Sequence, residues 1–436
     1  MTILAWLAVV DLAAVVYFTA RRVDVRLVLL LGALPLFAAS GGPGMVEMMA
    51  KVAAEMANAA TIVPIGSAMG FAYVLRVTGC DREMVRLLLR PLRGAPAFLV
   101  PGGIASGYLV NTTIVSQAGT AAVLGPILIP LLRAGGLDAA TAGAVLLLGA
   151  SMGGELFNPG AVEMRKLSEL TGMAGHDLVS RQAPLNFAAC GAALLTFWLL
   201  AERRKRLAEC VVPGAAGGEA PEEGRPVNPF KAAIPVAPLA ILFVDGAMGA
   251  ASPLVEFAGP SKILAAMLVG VLLAWSVAFR SGSNLAHEFF EGAGYAYTHV
   301  ISLIVAASTF AEGVRRSGLI QVLVKLLADR PALAPAASAL LPWSLGVVSG
   351  SGIAPAVAIM EFFVPAAEQL GLDPVRIGTL AALGAHFGRT MSPAAAVVAM
   401  CARLSGESGP SLIRRVVPPL MVGLAVMIAA SVLRTF

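Results

Sequence analysis

One interruption constrains this 436-residue chain more than any other feature. Val348-Ser349-Gly350-Ser351-Gly352-Ile353-Ala354-Pro355 breaks an apolar run where a bilayer-crossing helix would be continuous. Hydrocarbon offers no water to exposed backbone, so a broken helix survives there only where protein or a cavity receives its freed N–H and C=O groups. Small residues let the chain turn and approach a ligand closely, and Pro355 suits the first position of a new helix. A helix that starts inside the membrane aims unpaired N–H groups and a positive dipole end at an anion. A second break follows at Gly388-Arg389-Thr390-Met391-Ser392-Pro393, where Ser392 is expected to cap, and Pro393 to open, another helix.

Composition requires the membrane. With 58% hydrophobic and 13% charged residues and a mean hydropathy of +0.83, the chain cannot be an ordinary water-soluble protein. Several apolar segments reach the roughly 18–20 residues that span a bilayer, and such segments must be helical. The formal charge of +5 implies no nucleic-acid partner, because Lys and Arg lie mainly in loops, as cytoplasmic loop charge does. Cys80, Cys190, Cys210 and Cys401 are scattered without metal or redox spacing. Residues 1–20 lack a basic leader and a cleavage site and read as a retained first helix.

In chain order, Thr2–Ala20 and Arg26–Ser40 are spans, Gly41–Asn58 is interfacial, Thr61–Gly79 spans, and Asp81–Arg93 is amphipathic. Ala97–Val115 and Ala118–Arg133 flank a small polar tip, Ser116-Gln117, and read as a re-entrant hairpin. Ala139–Phe157 spans up to the break Asn158-Pro159-Gly160, and Ala183–Ala201 spans up to Arg203-Arg204-Lys205-Arg206. Val212–Asn228, rich in Gly, Pro and Glu, reads as a linker. The pattern then repeats: spans Ala232–Ala250 and Ile263–Phe279, interfacial Ser281–Gly294, span Tyr297–Val314, and amphipathic Ile320–Arg330. A second hairpin (Ala332–Val348 and Ala354–Glu368), Val375–Met391 and Ile413–Leu433 complete it.

One constant offset pairs Gly136-Leu137-Asp138 with Gly371-Leu372-Asp373, Ser116 with Ser351, Pro130 with Pro365, Gly149-Ala150 with Gly384-Ala385, and Gly153 with Gly388. Slips of a few residues match Asn158-Pro159 to Ser392-Pro393, Asp11 to Asp245, and Arg76 to Arg315. Placing Arg203–Arg206 in the cytoplasm starts the first half outside and the second inside, with Arg315 and Arg316 on the less favoured face. The expected fold is an all-α polytopic membrane protein of two inverted repeats. Each repeat has about five transmembrane helices and a re-entrant hairpin, the architecture of a secondary transporter. The division is 1–206 with hairpin 97–133, a cytoplasmic linker at 207–231, and 232–436 with hairpin 332–368.

Helix N-termini after Ser116, Asn158, Ser351 and Ser392 converge in this arrangement, and their hydroxyls, amides and N–H groups suit carboxylate oxygens. The substrate-binding candidates are Ser116, Gln117, Asn158, Ser351, Gly352, Thr390, Ser392 and Arg389, whose guanidinium can clamp a carboxylate bidentately. Carbonyls freed at the tips, beside Ser349, suit a hard cation such as Na+. Glu155 is expected to face Arg389 across the pseudo-twofold and to carry a coupled proton, with His386 a further proton candidate. Asp11, Asp245, Glu312 and Glu361 read as structural ion-pair partners, and His176, His287 and His299 form no metal set by spacing. The alternative to a site is that small residues merely let helices pack closely.

The second-half residues, Gly350-Ser351-Gly352 with Ala354-Pro355 and Glu361, then Gly388-Arg389-Thr390-Met391-Ser392-Pro393, resemble the anaerobic C4-dicarboxylate carriers of the DcuC type. Val244-Asp245-Gly246 and Phe310-Ala311-Glu312-Gly313 fit the same pattern, which runs over most of the chain. The resemblance extends to the wider ion-transporter group, whose divalent-anion symporters are dimers with a fixed scaffold and a hairpin-bearing domain that moves as an elevator. It implies succinate, fumarate or malate as substrate, an inner-membrane location, a homodimer, and no cofactor beyond Na+ or H+ as coupling ion. Two positions depart from it: Ile353 replaces an expected Asn, and the first tip reads Ser116-Gln117-Ala118-Gly119-Thr120 instead of a double serine. Gly119 and Thr120 join the substrate candidates. Asn111-Thr112-Thr113, similar to the symporters' Ser-Asn-Thr tips, join the ion-coupling ones. No nucleotide motif or catalytic cluster is present, so an enzyme is not expected. The rivals are a carrier of another organic anion, a Na+/H+ antiporter and a channel.

Overall fold

The computed structural model describes residues 3–21, 23–39, 41, 43–94, 96–211, 227–248, 252–254, 256–257, 259–278, 284–319, 322 and 333–433. Among these residues all regular structure is helical. Eight helical runs among them are long and apolar enough to cross a bilayer.

The first half begins with α1 (Ile3–Ala20), α2 (Val25–Ala39), α3 (Gly44–Met56), α4 (Ala59–Thr78) and the amphipathic α5 (Cys80–Leu89). The first hairpin is α6 (Leu99–Thr113) and α7 (Gln117–Ala134), turning at 114–116, so Gln117 already belongs to the returning helix. α8 (Ala139–Ser151), a 3-10 turn at Gly154–Phe157, α9 (Val162–Thr171) and α10 (Gly175–Val211) follow. In the second half, α11 (Pro229–Ala233), α12 (Ala237–Met248), α13 (Gly259–Ala278), α14 (Leu285–Ala296) and α15 (Ser302–Arg316) precede the second hairpin. That hairpin is α16 (Leu333–Ser349) and α17 (Ile353–Ala367), and α18 (Pro374–Thr390), α19 (Ala396–Ser405) and α20 (Gly409–Val432) end the fold.

The repeated Gly-Leu-Asp triplet does one job twice. Gly136 and Gly371 adopt φ of 83° and 65°, and the Asp that follows caps the next helix. Asp138 accepts from the Thr141 amide and Asp373 from the Val375 amide, each at 3.0 Å. Such a cap satisfies one orphan N–H, worth about 1 kcal/mol.

Several expected boundaries are corrected. α8 stops at Ser151 rather than Phe157, because Gly153 turns with φ 119° and the chain continues as a 3-10 turn. α9 and α19 were not expected. Charged Glu163, Arg165, Lys166 and Glu169 disguise the first as loop, and the second is only ten residues long. Pro393 does not open α19, which starts at Ala396, and Ile353 rather than Pro355 begins α17. α10 overruns the expected Ala183–Ala201 at both ends. Its 37 residues measure about 55 Å at 1.5 Å each, beyond the roughly 30 Å of hydrocarbon. Residues 207–211 and 229–231 of the expected linker are therefore helical, 212–226 lie outside the described residues, and so does nearly all of Ile320–Arg330.

The apolar interior divides into three large cores. One joins α5–α10 with α17–α20 and part of α16, and so contains both hairpins and both breaks. Another joins α1, α2, α4 and α15, and a third joins α4 with α12 and α13. In lipid, close backbone approach does the holding that water exclusion does elsewhere. Gly107 of α6 and Gly149 of α8 meet backbone to backbone, where a Cβ on Gly107 would lie 2.8 Å from the Gly149 Cα. In the second half, a Cβ on Gly384 or Gly388 of α18 would lie 2.3 Å from the Ala339 oxygen or 2.0 Å from the Trp343 oxygen of α16.

Candidate functional site: a buried charge cluster between two helix breaks

The break after α8 and the end of α18 meet in the interior. Arg389, 4% exposed, directs Nη2 to the Ser151 carbonyl at 3.1 Å, the Ser151 hydroxyl at 3.3 Å and Glu155 Oε1 at 3.2 Å. Glu155, 1% exposed, accepts a short bond at Oε2 from the Gln117 side-chain amide, and its own backbone N–H donates to Asn111 Oδ1 at 3.1 Å. His386, one turn before Arg389, places Nε2 2.9 Å from Glu163 Oε1 and 3.2 Å from Glu155 Oε1. One guanidinium and one imidazole thus face two carboxylates. Buried charged groups are tolerable only when they are paired in this way.

The surrounding bonds hold the first break in shape. Asn158 donates to the Thr112 carbonyl at 3.0 Å and accepts from the Gly160 amide at 2.9 Å, so it braces the turn and caps no helix. The Thr112 hydroxyl donates to the Gly154 carbonyl at 3.1 Å, tying α6 to the break. Thr390 Oγ1 lies 2.7 Å from Ser151 Oγ. Ser116 caps α7 as expected, accepting from the Gly119 amide at 3.2 Å, and the Thr120 hydroxyl donates to the Ile114 carbonyl at 3.1 Å.

The second tip is built from backbone. Its side chains serve the turn itself: Ser349 Oγ donates to the Leu345 carbonyl at 2.7 Å and accepts from the Ser351 amide at 3.2 Å. Gly352, not Ser351, occupies the cap position of α17, with no side-chain cap. Ser392 accepts from the Ala394 amide at 3.2 Å within the turn and caps no helix. Gly350, at φ 70°, lies so close to the second break that a Cβ would sit 2.8 Å from the Ala394 carbonyl carbon. A Cβ on Gly352 would come within 2.7 Å of Arg389 Nη1, so the tip rests directly on the guanidinium.

Of the residues named from the sequence, the structure brings Arg389, Glu155, Thr390, Gln117 and Asn111 together in one cluster. Ser116 and Gly119 line a separate cavity, and the Thr113 hydroxyl turns back to the Val110 carbonyl at 2.9 Å. Glu163 and Ser151 were missed. The legible signal for Glu163 was a carboxylate shortly after the Asn158-Pro159-Gly160 break, in a stretch read as loop. His386 sits at the centre of the cluster, 0% exposed, rather than at its margin. Elsewhere Glu361 pairs with Lys166 at 2.6 Å, Asp245 with Lys262 at 3.1 Å and Glu312 with Arg315 and Arg316 at 2.6 and 2.9 Å. Asp11 Oδ2 is buried without a partner among the described residues.

Beside the cluster lies a cavity of about 30 Å3, lined by Glu155, Glu163, Val115 and Gln117 of the first tip, Ile353 of the second, and Met69 of α4. At 10–15 Å3 per water it has room for about two waters. A second cavity of about 240 Å3 lies on the other side of Met69, against Ile114, Ser116 and Gly119.

A family model described as DcuC, C4-dicarboxylate anaerobic carrier, matches residues 1–435. The chain belongs to the DcuC family. Among individual relatives of this DcuC-family carrier, an uncharacterized transporter of Haemophilus influenzae is 30% identical over 61% of this chain and 96% of its own. The anaerobic C4-dicarboxylate transporter DcuC of Escherichia coli K12 is 23% identical over 83% of this chain and 78% of its own. In fold it is similar to the Alcanivorax borkumensis YdaH transporter, with a TM-score of 0.65 and 15% identity, over 100% of this chain and 98% of that one. The DcuC-family chain is therefore a multi-pass membrane transporter and not an enzyme.

Proposed function

We propose that this carrier moves C4-dicarboxylates such as succinate, fumarate and malate across the bacterial cytoplasmic membrane, by an elevator motion coupled to a proton at Glu155. The observation that carries the reading is Arg389, buried where two helix breaks meet, in a member of a carrier family. A buried guanidinium offers a fork matched to a carboxylate. Glu155 Oε1 holds one prong of that fork, Nη2, so an incoming carboxylate competes with Glu155 and the displaced side chain becomes the natural acceptor of a proton. The division of the interior into a hairpin-bearing core and cores built on α1, α2, α4 and α12–α15 supports a moving body and a scaffold. The matched Gly-Leu-Asp caps, hairpins and breaks support two repeats, which we read as inverted about a membrane-plane axis. The DcuC resemblance adds a homodimer formed through the scaffold.

Thermal stabilisation of the purified protein by a panel of carboxylates, with and without Na+, tests this reading. Ligand at a hundredfold excess over its dissociation constant adds about 2.7 kcal/mol of apparent stability. We expect a shift with succinate or fumarate that Arg389→Ala abolishes. A shift with Na+ alone, or only with other anions, discards the substrate. A Glu155→Gln carrier that keeps wild-type uptake and pH dependence discards the proton.

A further inference from the structure

The structure assigns a second dicarboxylate-binding site, an access vestibule organised by Arg76 and separated from the buried cluster by Met69. This inference rests on the transport reading above. The 240 Å3 cavity runs between α4, α7 and α14 and is the larger of the two that reach the first hairpin tip. Arg76, in the last turn of α4, is exposed and lies over the Tyr73 ring at 6.0 Å; among the described residues it has no ion-pair partner. The cations beside the other carboxylates of the interior are already matched: Arg389 by Glu155, Lys166 by Glu361, Lys262 by Asp245, and Arg315 and Arg316 by Glu312. A guanidinium outside any ion pair, on a mainly apolar cavity, is the natural first contact for a dianion entering a carrier, because opposite charge raises local concentration and the rate of encounter.

Two further features give the cavity a direction. Ser116 and Gly119, at the capped start of α7, form part of its wall; the Ser116 oxygen is taken by the Gly119 amide, and the Ser116 O–H is left to donate to a carboxylate. Met69 lines both this cavity and the small one beside Glu155 and Glu163, with Ile114 and Ser116 facing the large side and Val115 and Gln117 the small side. Met69 and the tip 114–117 are thus the partition through which a substrate reaches Arg389. Methionine's unbranched, flexible side chain suits a wall that must yield. Asp81 also faces the vestibule and weakens its hold on an anion, which favours handing the substrate on over trapping it.

The test is uptake of labelled succinate into proteoliposomes by wild-type, Arg76→Gln and Arg76→Lys carriers, at low and high ionic strength. Arg76→Gln is expected to raise the apparent KM about tenfold at low salt, with the maximal rate kept, and to remove most of the salt dependence of uptake. Arg76→Lys should recover much of the loss, and Met69→Trp should slow the maximal rate with little change in KM. An Arg76→Gln carrier with wild-type KM and salt dependence overturns the vestibule while leaving the transport reading intact. Absence of saturable succinate uptake by the wild type overturns both.

Discussion

The two hairpin-and-break units are related in sequence yet contribute opposite chemistry. The first supplies side chains. Ser116 caps its returning helix, Asn111, Thr112 and Asn158 brace its break, and the break itself delivers Glu155. The second supplies nitrogen donors and bare backbone: Arg389 and His386 on an unbroken α18, with Gly350 and Gly352 bringing the tip down onto the break and the guanidinium. The site is thereby asymmetric, with carboxylates from one half facing a guanidinium and an imidazole from the other.

The contrast is best broken at its charges. Arg389→Ala leaves Glu155 buried without its cation and should cost about 3–5 kcal/mol of stability. Glu155→Gln in the same chain should recover part of that loss in a thermal melt, because the uncompensated charge is then gone. Equal melts for the single and double variants would mean that the pair does not hold the halves together.

Close packing is the next term. Gly388→Ala places a Cβ against the Trp343 carbonyl, and overpacking of this kind costs about 1–3 kcal/mol. Gly172→Ala has open space around it but must hold φ 70°, so its loss should be smaller, about 1 kcal/mol, and of backbone origin. Comparable melts for the two variants would deny the α16–α18 crossing its importance.

The tips themselves should differ modestly. Ser116→Ala removes a helix cap and should lower stability by about 1 kcal/mol, whereas Ser351→Ala removes no cap and should melt like wild type. The smallest effect concerns pH. Burial pushes the Asp81 carboxyl up to about 6, against the opposing pull of the Arg82 backbone N–H and the charges of Arg82 and Arg76; Tyr73 and Tyr295 are the other titratable groups lining the cavity. Above that value its negative charge opposes an anion in the vestibule, and below it the opposition disappears. Asp81→Asn should therefore tighten succinate binding roughly two- to fivefold at pH 7.5 and change nothing at pH 5.

Much of the frame was written in the sequence, because membrane insertion leaves few options. Apolar run lengths give the helices, the interrupted run at 348–355 gives a hairpin, and the duplicated Gly-Leu-Asp gives matching caps. Arg389 announced itself as a charge inside a span, and so did its counterpart Glu155 by its position before the first break, though only the folded chain brings them to 3.2 Å. What the chain could not disclose alone depends on neighbours distant in sequence. α9 is polar by composition, but Glu163 and Lys166 are matched by His386 and Glu361 from the other half, so a stretch that reads as loop is a buried helix. Ser351 and Ser392 look like caps, yet their backbones turn before a helix begins, and local turn bonds engage the Ser351 amide and the Ser392 hydroxyl oxygen. Hydropathy is a property of segments and survives in one dimension. Charge pairing between segments far apart in the chain is a property of folded distance, and only the tertiary structure decides it.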